Sequence, residues 1–242
     1  MTGDGVSEPS ALSNPSEQGE IRDAACAVVI DTTVREPTLL MGRRRADQIF
    51  LPNKWVFPGG RVDDDDRALV ASFEREAFTP ADLAPEIRPF VLAALRELTE
   101  EAGLVIGERA PFRGASHPGW RNYTDIGFAP SPAHLVPLAR AITPPGRVRR
   151  YDTWFFAVPR TSVTAATRGD GELLDLSWVT LDEARKLDLP NITRLILEDI
   201  RTHLDHVDQI FTSGAGRMPF YNADACGFQR TLISCTAPPT PP

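Results

Sequence analysis

Residues 96–104 of this 242-residue chain place three carboxylates within two helical turns, followed by a glycine. At 100° per residue, Glu97, Glu100 and Glu101 share an arc of about 100° on a helix. The opposite side of the same helix is apolar and contains Val91, Leu92, Leu95, Leu98 and Ala102. The spacing therefore predicts an amphipathic helix that packs through one face, carries clustered charge on the other and ends at Gly103.

The three carboxylates repel one another in this arrangement. Like charges at i, i+3 and i+4 destabilise a helix by a few tenths of a kcal/mol per pair, so a bound cation would compensate the cluster. Magnesium suits that place because it is a hard ion that takes carboxylate oxygens and shares its other positions with water and phosphate. The competing interpretation is a solvated acidic face, which is what most charged helix faces are.

A second segment favours the metal interpretation. Upstream of the acidic helix, Trp55–Asp63 has the pattern of a short aromatic strand that runs into the paired glycines Gly59 and Gly60. Together the two segments resemble the Nudix box, G-x5-E-x7-R-E-U-x-E-E-x-G-U with U aliphatic. Arg96 stands at the arginine of the box, but it follows Gly60 by 36 positions rather than 14, so 22 extra residues interrupt the motif.

The interruption leaves one position of the box open. Asp66 stands where the pattern has its first glutamate, and it closes the acidic run Asp63–Asp66. Any of these four aspartates could brace the arginine of the box. Interrupted boxes are similar to the Nudix branch that includes a mammalian peroxisomal coenzyme A diphosphatase, and the segment Arg150–Phe156 is similar to that branch as well. The resemblance covers roughly residues 21–206.

The resemblance implies a cofactor and a set of metal ligands. Nudix proteins of this kind use Mg²⁺ or Mn²⁺. By resemblance, Glu100 and Glu101 are metal ligands, and the backbone carbonyl of Gly60 is a further ligand. Glu97 is either a ligand or the base that orients water. Glycine suits its place because it lets the backbone approach a ligand closely.

The resemblance also gives roles to two other residues of the predicted catalytic and metal-binding set. Arg96 is expected to brace the glutamates and the glycine loop rather than to touch substrate. A further acid often completes such sites, and Glu172 is the candidate because it lies shortly before the predicted strand at Leu176–Val179. An equally good interpretation is that Glu172 is an ordinary turn residue with no role in metal binding.

Arginines beside two predicted strands are candidates for phosphate binding, because the guanidinium fork matches phosphate oxygens bidentately. These arginines are Arg43, Arg44, Arg45, Arg147, Arg149 and Arg150. We take Arg43, Arg45 and Arg150 as the substrate-binding residues, with simple surface solvation as the alternative. Trp120 and Tyr123 either stack on a base or pack in the core.

Composition limits the classes of partner. With 42% apolar residues the chain can form one sizeable domain, and its net charge of −7 gives no general attraction to DNA or RNA polymers. Its three cysteines, without C-x-x-C spacing, argue against a disulfide framework and fit a reducing cytoplasm. No apolar run is long enough for a membrane span. The sequence leaves the oligomeric state open, with a homodimer as the candidate because relatives often dimerise.

The element pattern predicts an α/β (α+β) fold, a Nudix α/β/α sandwich with a mixed central sheet. We expect a disordered leader over 1–20, a Nudix domain over 21–206 with an insertion at 67–88, and a C-terminal extension over 207–242. Strands are expected at 24–30, 38–41, 55–57, 152–158 and 173–180. Helices are expected at 67–78, 89–102 and 191–204. Within the extension, Met218–Tyr221 is a candidate interface.

The leading functional hypothesis is a magnesium-dependent hydrolase that splits the diphosphate linkage of a small nucleoside diphosphate derivative. A P–O–P bond is shielded by negative oxygens, so its hydrolysis needs cations, an oriented water and in-line geometry. Branch resemblance makes coenzyme A or an acyl-CoA the first candidate substrate, followed by dinucleotide cofactors and sugar nucleotides. The competing class is a non-catalytic nucleotide-sensing module. The presence of all three glutamates of the box favours the enzyme.

Overall fold

The computed structural model describes residues 20–112, 114, 118–203, 210–211, 217–224 and 227–236. The expected leader, apart from Glu20, lies outside the described residues, and so does the last part of the expected C-terminal extension. In the described part of the chain, no helix combines the length and apolar character needed to cross a membrane.

A nine-stranded mixed sheet forms the centre of the described chain. Its strands and those of two small ribbons are β1 (Ile21–Asp31), β2 (Thr38–Arg44), β3 (Trp55–Val56), β4 (Gly59–Arg61), β5 (Leu104–Val105), β6 (Gly107–Arg109), β7 (Phe128–Pro130), β8 (Val136–Ile142), β9 (Arg150–Pro159), β10 (Ala165–Ala166), β11 (Leu173–Thr180), β12 (Arg217–Asp224) and β13 (Gly227–Ser234). The main path is β11-β2-β1-β9-β8-β12-β13, while β3 pairs with β2 and β4 with β1. β5 pairs with β10, and β6 pairs with β7.

Helices cover both faces of the sheet. They are α1 (Asp64–Leu69), α2 (Arg88–Ala102), α3 (Pro118–Asp125), α4 (Leu181–Ala184) and α5 (Asn191–Arg201). Ala27 and Val29 of β1 pack in the core that contains α2 and α3, whereas Val28 and Ile30 pack in the core that contains α4 and α5. Successive strand residues point to opposite faces, so β1 contributes to both cores. The predicted α/β/α sandwich with a mixed sheet is confirmed.

Parallel pairing between β1 and β9 places the two halves of the chain side by side. The register runs from Ile21 opposite Arg150 to Ile30 opposite Pro159. On its other side β1 pairs antiparallel with β4, which sets Gly60 opposite Ala25. The glycine turn therefore lies at the middle of the sheet, next to the face on which α2 packs.

The insertion differs from its prediction. The helix expected at 67–78 was wrong in extent, because α1 begins earlier and the chain then forms only short 3₁₀ turns. The earlier start follows from the acidic run, in which the Asp63 N–H donates to Asp66 Oδ2 at 2.9 Å and closes the first turn. Later in the insertion, Phe78 and Leu83 are buried in the core that contains α2. Contact with that core, more than helical propensity, therefore determines the path of this segment.

Two strands of the C-terminal extension, β12 and β13, belong to the central sheet. β12 pairs parallel with β8, placing Tyr221 opposite Ala141, and β13 pairs antiparallel with β12. Met218 and Tyr221 are buried in the two cores on opposite faces of the sheet. The expectation that Met218–Tyr221 forms an interface was therefore wrong for these two side chains, which complete the chain's own packing.

Candidate active site

A cavity of about 420 Å³ opens between the glycine turn, the second half of α2 and the strands β1 and β9. Gly59, Gly60 and Arg96 line it, together with the three glutamates of α2. Residues from the loops before β11 and around the start of α5 close the opposite side. The predicted acidic side chains and the predicted glycine turn thus face one cavity.

The end of α2 is fixed by a loop from the second half of the chain. Gly103 has a left-handed backbone with φ of 67°, and a side chain there would overlap the carbonyl of Thr167. The Thr167 N–H donates to the Gly103 carbonyl at 2.7 Å, and the Asp170 N–H donates to the Glu100 carbonyl at 2.8 Å. The loop that follows β10 is therefore attached to the helix terminus. This attachment brings Glu172 to the cavity wall.

Arg96 holds the acidic side chains of α2 in place. It is only 2% exposed, and every N–H group of its guanidinium faces an acceptor. Nη1 donates to Glu97 at 2.8 Å and to Glu100 at 3.2 Å. Nη2 donates to the Arg61 carbonyl at 2.8 Å, and both Nε and Nη2 donate to Asp66 at 3.0 Å. The side chain therefore connects α2 with α1 and β4.

Among the four aspartates of the acidic run, Asp66 makes the bracing contact. Its side chain is fully buried, whereas Asp64 is exposed and Asp63 lies 3.7 Å from Arg96 Nη2. α1 begins at Asp64, so Asp66 lies within its first turn and on the side that meets α2. Of the four aspartates that the sequence left as candidates, Asp66 is therefore the main partner of Arg96.

The carboxylates of Glu97 and Glu101 lie against the glycine pair. The Gly59 N–H donates to Glu101 Oε2 at 2.7 Å, and a methyl group on Gly60 would overlap the Glu97 carboxylate. A methyl group on Gly59 would overlap the Ala25 carbonyl of β1. Glycine is needed at both positions because β4 is enclosed between β1 and α2. The acidic helix and the glycine turn converge despite the insertion between them.

Burial raises the pKa of both of these carboxyl groups. Desolvation raises the pKa of Glu97 to about 7, although Arg96 lowers it, and Glu100 and Glu172 raise it further through repulsion. Desolvation also holds the pKa of Glu101 well above its ordinary value, and repulsion from Glu97 adds to this. Positive charge in addition to that of Arg96 would therefore favour the ionised forms of Glu97 and Glu101.

A divalent cation fits the chemistry of this donor set. The donors are carboxylate oxygens on a rigid helix, buried beside a backbone turn, and such oxygens are the ligands that hard cations prefer. Within the described ranges, no three acidic, histidine or cysteine side chains form a preassembled ligand group. Arg96 donates to Glu97 and Glu100, and the Gly59 N–H donates to Glu101.

Comparison with known proteins shows what part of the chain is similar to. The family profile described as the NUDIX domain matches residues 89–200. The match covers a little under half of the 242-residue chain. The matched region begins in the first turn of α2, so the Gly59–Gly60 turn lies outside it and joins the acidic helix only through the tertiary structure.

Two relatives illustrate the similarity. A Caenorhabditis elegans protein named putative nudix hydrolase 7 is 26% identical over 169 residues, which are 65% of this chain and 51% of that protein. The chain therefore spans about half the length of this curated relative. A crystal structure of a Nudix hydrolase from Alicyclobacillus acidocaldarius is 21% identical, covers 79% of this chain and 96% of its own, and superimposes with a TM-score of 0.63. That likeness concerns the fold.

Glu172 lies on the wall of the cavity. Its Oε1 accepts a hydrogen bond from Gln48 Nε2 at 2.7 Å and lies 3.6 Å from Arg44 Nη2. The side chain is close enough to Glu97 and Glu101 to raise the pKa of both. The structure thus places the predicted further acid beside the acidic helix, and its role as a metal ligand stays a prediction.

The three arginines taken as substrate-binding residues lie outside the cavity lining of the described chain. Arg43 pairs with Asp175 at 2.7 Å, and Arg45 pairs with Asp47 at 3.0 Å. Arg150 donates to a backbone carbonyl of the preceding loop at 3.1 Å. Side chains alternate along a strand, so Arg43 and Arg44 at the end of β2 point to opposite faces of the sheet.

Their sequence neighbours Arg44 and Arg149 line the cavity instead. Arg44 also donates to the Phe50 carbonyl at 3.0 Å, which holds the loop after β2 against the cavity. A role of these arginines in substrate binding stays a prediction. Which member of each cluster faces the cavity depends on the strand register, which residue types alone do not define.

Two aromatic residues that the sequence analysis missed form part of the cavity wall. The rings of Phe50 and Tyr151 meet edge to face with centroids 5.1 Å apart, and both residues line the cavity. Tyr151 lies in the segment that resembles the interrupted-box branch, which was the one available signal. Trp120 and Tyr123, in contrast, are fully buried. The alternative that they stack on a base was therefore wrong, and they pack in the core.

Proposed function

We propose that this Nudix domain hydrolyses the diphosphate linkage of a small nucleoside diphosphate derivative with the help of Mg²⁺ or Mn²⁺. The groups that would hold the cation are the carboxylates of Glu97, Glu100 and Glu101 and the backbone carbonyl of Gly60, with Glu172 as a further acid. The observation that carries the proposal is the burial of Glu97 and Glu101 against the glycine turn on the cavity wall. The positive charge of a cation would favour the ionised forms of both.

The side chains of the cavity have separable tasks in this reaction. A bound divalent cation would neutralise phosphate oxygens and make water a better nucleophile at neutral pH. Arg96 keeps Glu97 and Glu100 in one orientation through its hydrogen bonds. Glu97 is either a ligand of the cation or the base that orients the attacking water. Arg44 and Arg149 offer guanidinium groups to the phosphate oxygens.

Coenzyme A or an acyl-CoA is the first substrate that we propose, on the basis of the interrupted box. Dinucleotide cofactors and sugar nucleotides are the alternatives, and the ring edges of Phe50 and Tyr151 provide an aromatic wall that suits a base in any of them. Location in the cytoplasm and assembly as a homodimer stay predictions from the sequence. A DNA or RNA polymer is not proposed as a partner, because the chain is acidic overall.

A panel of diphosphate metabolites tests the proposed function. Purified protein is incubated with each compound and Mg²⁺ or Mn²⁺, and mass spectrometry identifies the products and the cleaved bond. We expect cleavage of at least one nucleoside diphosphate derivative and no cleavage by the Glu100→Gln, Glu101→Gln double variant. If wild type and double variant are both inactive on the panel while a nucleotide still binds, the nucleotide-sensing module is the correct interpretation.

Arg149 should contribute to substrate affinity. Replacing Arg149 with Ala is expected to raise KM for the cleaved compound by about tenfold with little change in kcat, because one charge-assisted contact to phosphate is lost. Arg147→Ala is the matched control, since Arg147 is an exposed arginine of the same loop that does not line the described cavity. Steady-state kinetics of both variants check the prediction. Equal KM values for the two variants would contradict it.

A further inference from the structure

α3 contacts the guanidinium network of α2 from the second half of the chain. Trp120 of α3 is fully buried, and its Nε1–H donates to Asp66 Oδ1 at 3.0 Å. An indole has this single N–H donor and no acceptor, so a buried tryptophan usually directs it at one specific partner. Here the partner is the aspartate that braces Arg96.

Each oxygen of Asp66 accepts hydrogen bonds from at least two donors. Oδ1 accepts from Trp120 Nε1 and from Arg96 Nε, each at 3.0 Å. Oδ2 accepts from Arg96 Nη2 at 3.0 Å, from the Asp63 N–H at 2.9 Å and from Arg96 Nε at 3.3 Å. The plane of the carboxylate is therefore fixed from three directions. Without Trp120, Oδ1 would keep only its contact with Arg96, and the carboxylate could rotate within a buried site.

The residue before Trp120 brings α3 into direct contact with the acidic side chains. A Cβ atom on Gly119 would lie 2.7 Å from Arg96 Cγ and 2.8 Å from Glu100 Oε2. No side chain can occupy this place unless Arg96 or Glu100 moves. Gly119 therefore allows α3 to cover the stem of Arg96 and one edge of the Glu100 carboxylate.

We propose that Gly119 and Trp120 are positioning residues of the active centre: Trp120 fixes Asp66, Gly119 admits α3 onto Arg96, and Arg96 then presents Glu97 and Glu100 to the cavity in one arrangement. The proposal rests on the proposed function for its effect on catalysis. Its structural part concerns the orientation of Arg96 and can be measured separately. Neither residue lines the described cavity, so Trp120 acts through Asp66 and Arg96, and Gly119 acts through Arg96 and Glu100.

The alternative to the positioning role is that Trp120 only packs in the core. Its ring lies 5.8 Å from the ring of Phe112 and 5.6 Å from that of Tyr123. Tyr123 belongs to the same helix and the same aromatic cluster, and it is equally buried, but its hydroxyl donates to the Ile106 carbonyl at 3.2 Å. Tyr123→Phe therefore removes a buried hydrogen bond from the same cluster without touching Asp66 or Arg96.

The test compares Trp120→Phe with Tyr123→Phe in the full chain. In metal-free protein, ¹⁵N NMR measures hydrogen exchange at Arg96 Nε–H, and we expect exchange to be at least about tenfold faster in Trp120→Phe and unchanged in Tyr123→Phe. With Mg²⁺ and a cleaved substrate, Trp120→Phe is expected to lower kcat by about tenfold and to raise the Mg²⁺ concentration for half-maximal activity, with KM for substrate nearly unchanged. Thermal unfolding reports the loss of stability that both variants share.

The proposal would be overturned if hydrogen exchange at Arg96 Nε–H were unchanged in Trp120→Phe. It would also be overturned if Trp120→Phe and Tyr123→Phe lowered kcat equally. Gly119→Ala provides a second route, because its methyl group must displace Arg96 or Glu100 while Asp66 and Trp120 remain. Gly119→Ala is also expected to raise the Mg²⁺ concentration for half-maximal activity. A value equal to that of the wild type would count against the proposal. If no compound of the panel is cleaved by the wild type, the proposed function fails, whereas the exchange measurement still decides whether Trp120 orients Arg96.

Discussion

Replacing Glu101 with Gln is expected to lower kcat/KM for the cleaved diphosphate by about 10³-fold, equivalent to about 4 kcal/mol of transition-state stabilisation. Glu101 is 3% exposed, and its Oε2 accepts the Gly59 N–H at 2.7 Å. Glutamine has the same shape and can keep that hydrogen bond, but it lacks the charge that a divalent cation requires. Initial rates at saturating Mg²⁺ and Mn²⁺ measure the effect. Glu108→Gln, an exposed glutamate on β6, is the control and should retain wild-type rates.

The same substitution should not destabilise the metal-free protein. Because burial holds the pKa of Glu101 above its ordinary value, the ionised carboxylate disfavours the folded state, and this penalty grows as the pH rises above the unfolded-state pKa of about 4.3. In EDTA at pH 8, Glu101→Gln should therefore unfold at a temperature at least as high as the wild type. The difference should shrink as the pH falls towards 5. Loss of stability together with full activity would refute the assignment of Glu101 to the metal site.

Asp66→Ala is expected to cause the largest loss of stability, about 3–5 kcal/mol in the free energy of unfolding, because it leaves a buried guanidinium without its main anionic partner. Arg96 is 2% exposed and donates to Asp66 through both Nε and Nη2. Trp120 would lose its acceptor in the same variant. Urea denaturation followed by circular dichroism measures the change.

A neighbouring aspartate provides the control for this prediction. Asp64 belongs to the same acidic run and to the first turn of α1, but it is exposed. Asp64→Ala should cost only a few tenths of a kcal/mol, the ordinary contribution of an acidic side chain near a helix N-terminus. If Asp64→Ala and Asp66→Ala were equally destabilising, the bracing contact between Asp66 and Arg96 would have no special energetic role.

The acidic helix was predictable because each feature that defines it is local. Apolar residues at helical spacing, Pro89 in the first turn and Gly103 after the last turn predict a helix close to the observed span of α2, Arg88–Ala102. The strand at Leu173–Thr180 was likewise found over its full predicted length as β11. Side-chain periodicity and capping act within a few residues, so a sequence carries them directly.

The choice among similar neighbours was not predictable, because it depends on contacts between distant segments. Of the four aspartates, Asp66 is the main partner of Arg96, and Arg44 rather than Arg43 lines the cavity. In each cluster the residue types are nearly identical, and only the direction of the helix or strand distinguishes them. The role of Trp120 is a further example, since its hydrogen bond joins two segments 54 positions apart.

By itself, the sequence determined the fold class, the acidic helix with its glycine stop and the glycine turn, and through their resemblance to a known motif it indicated diphosphate chemistry. Only the tertiary structure decided that these segments meet across the insertion, that Asp66 braces Arg96, and that α3 contacts the same network. Periodicity and turn chemistry are encoded over a few residues. Which side chains meet in a buried site depends instead on sheet register and helix packing over the whole domain.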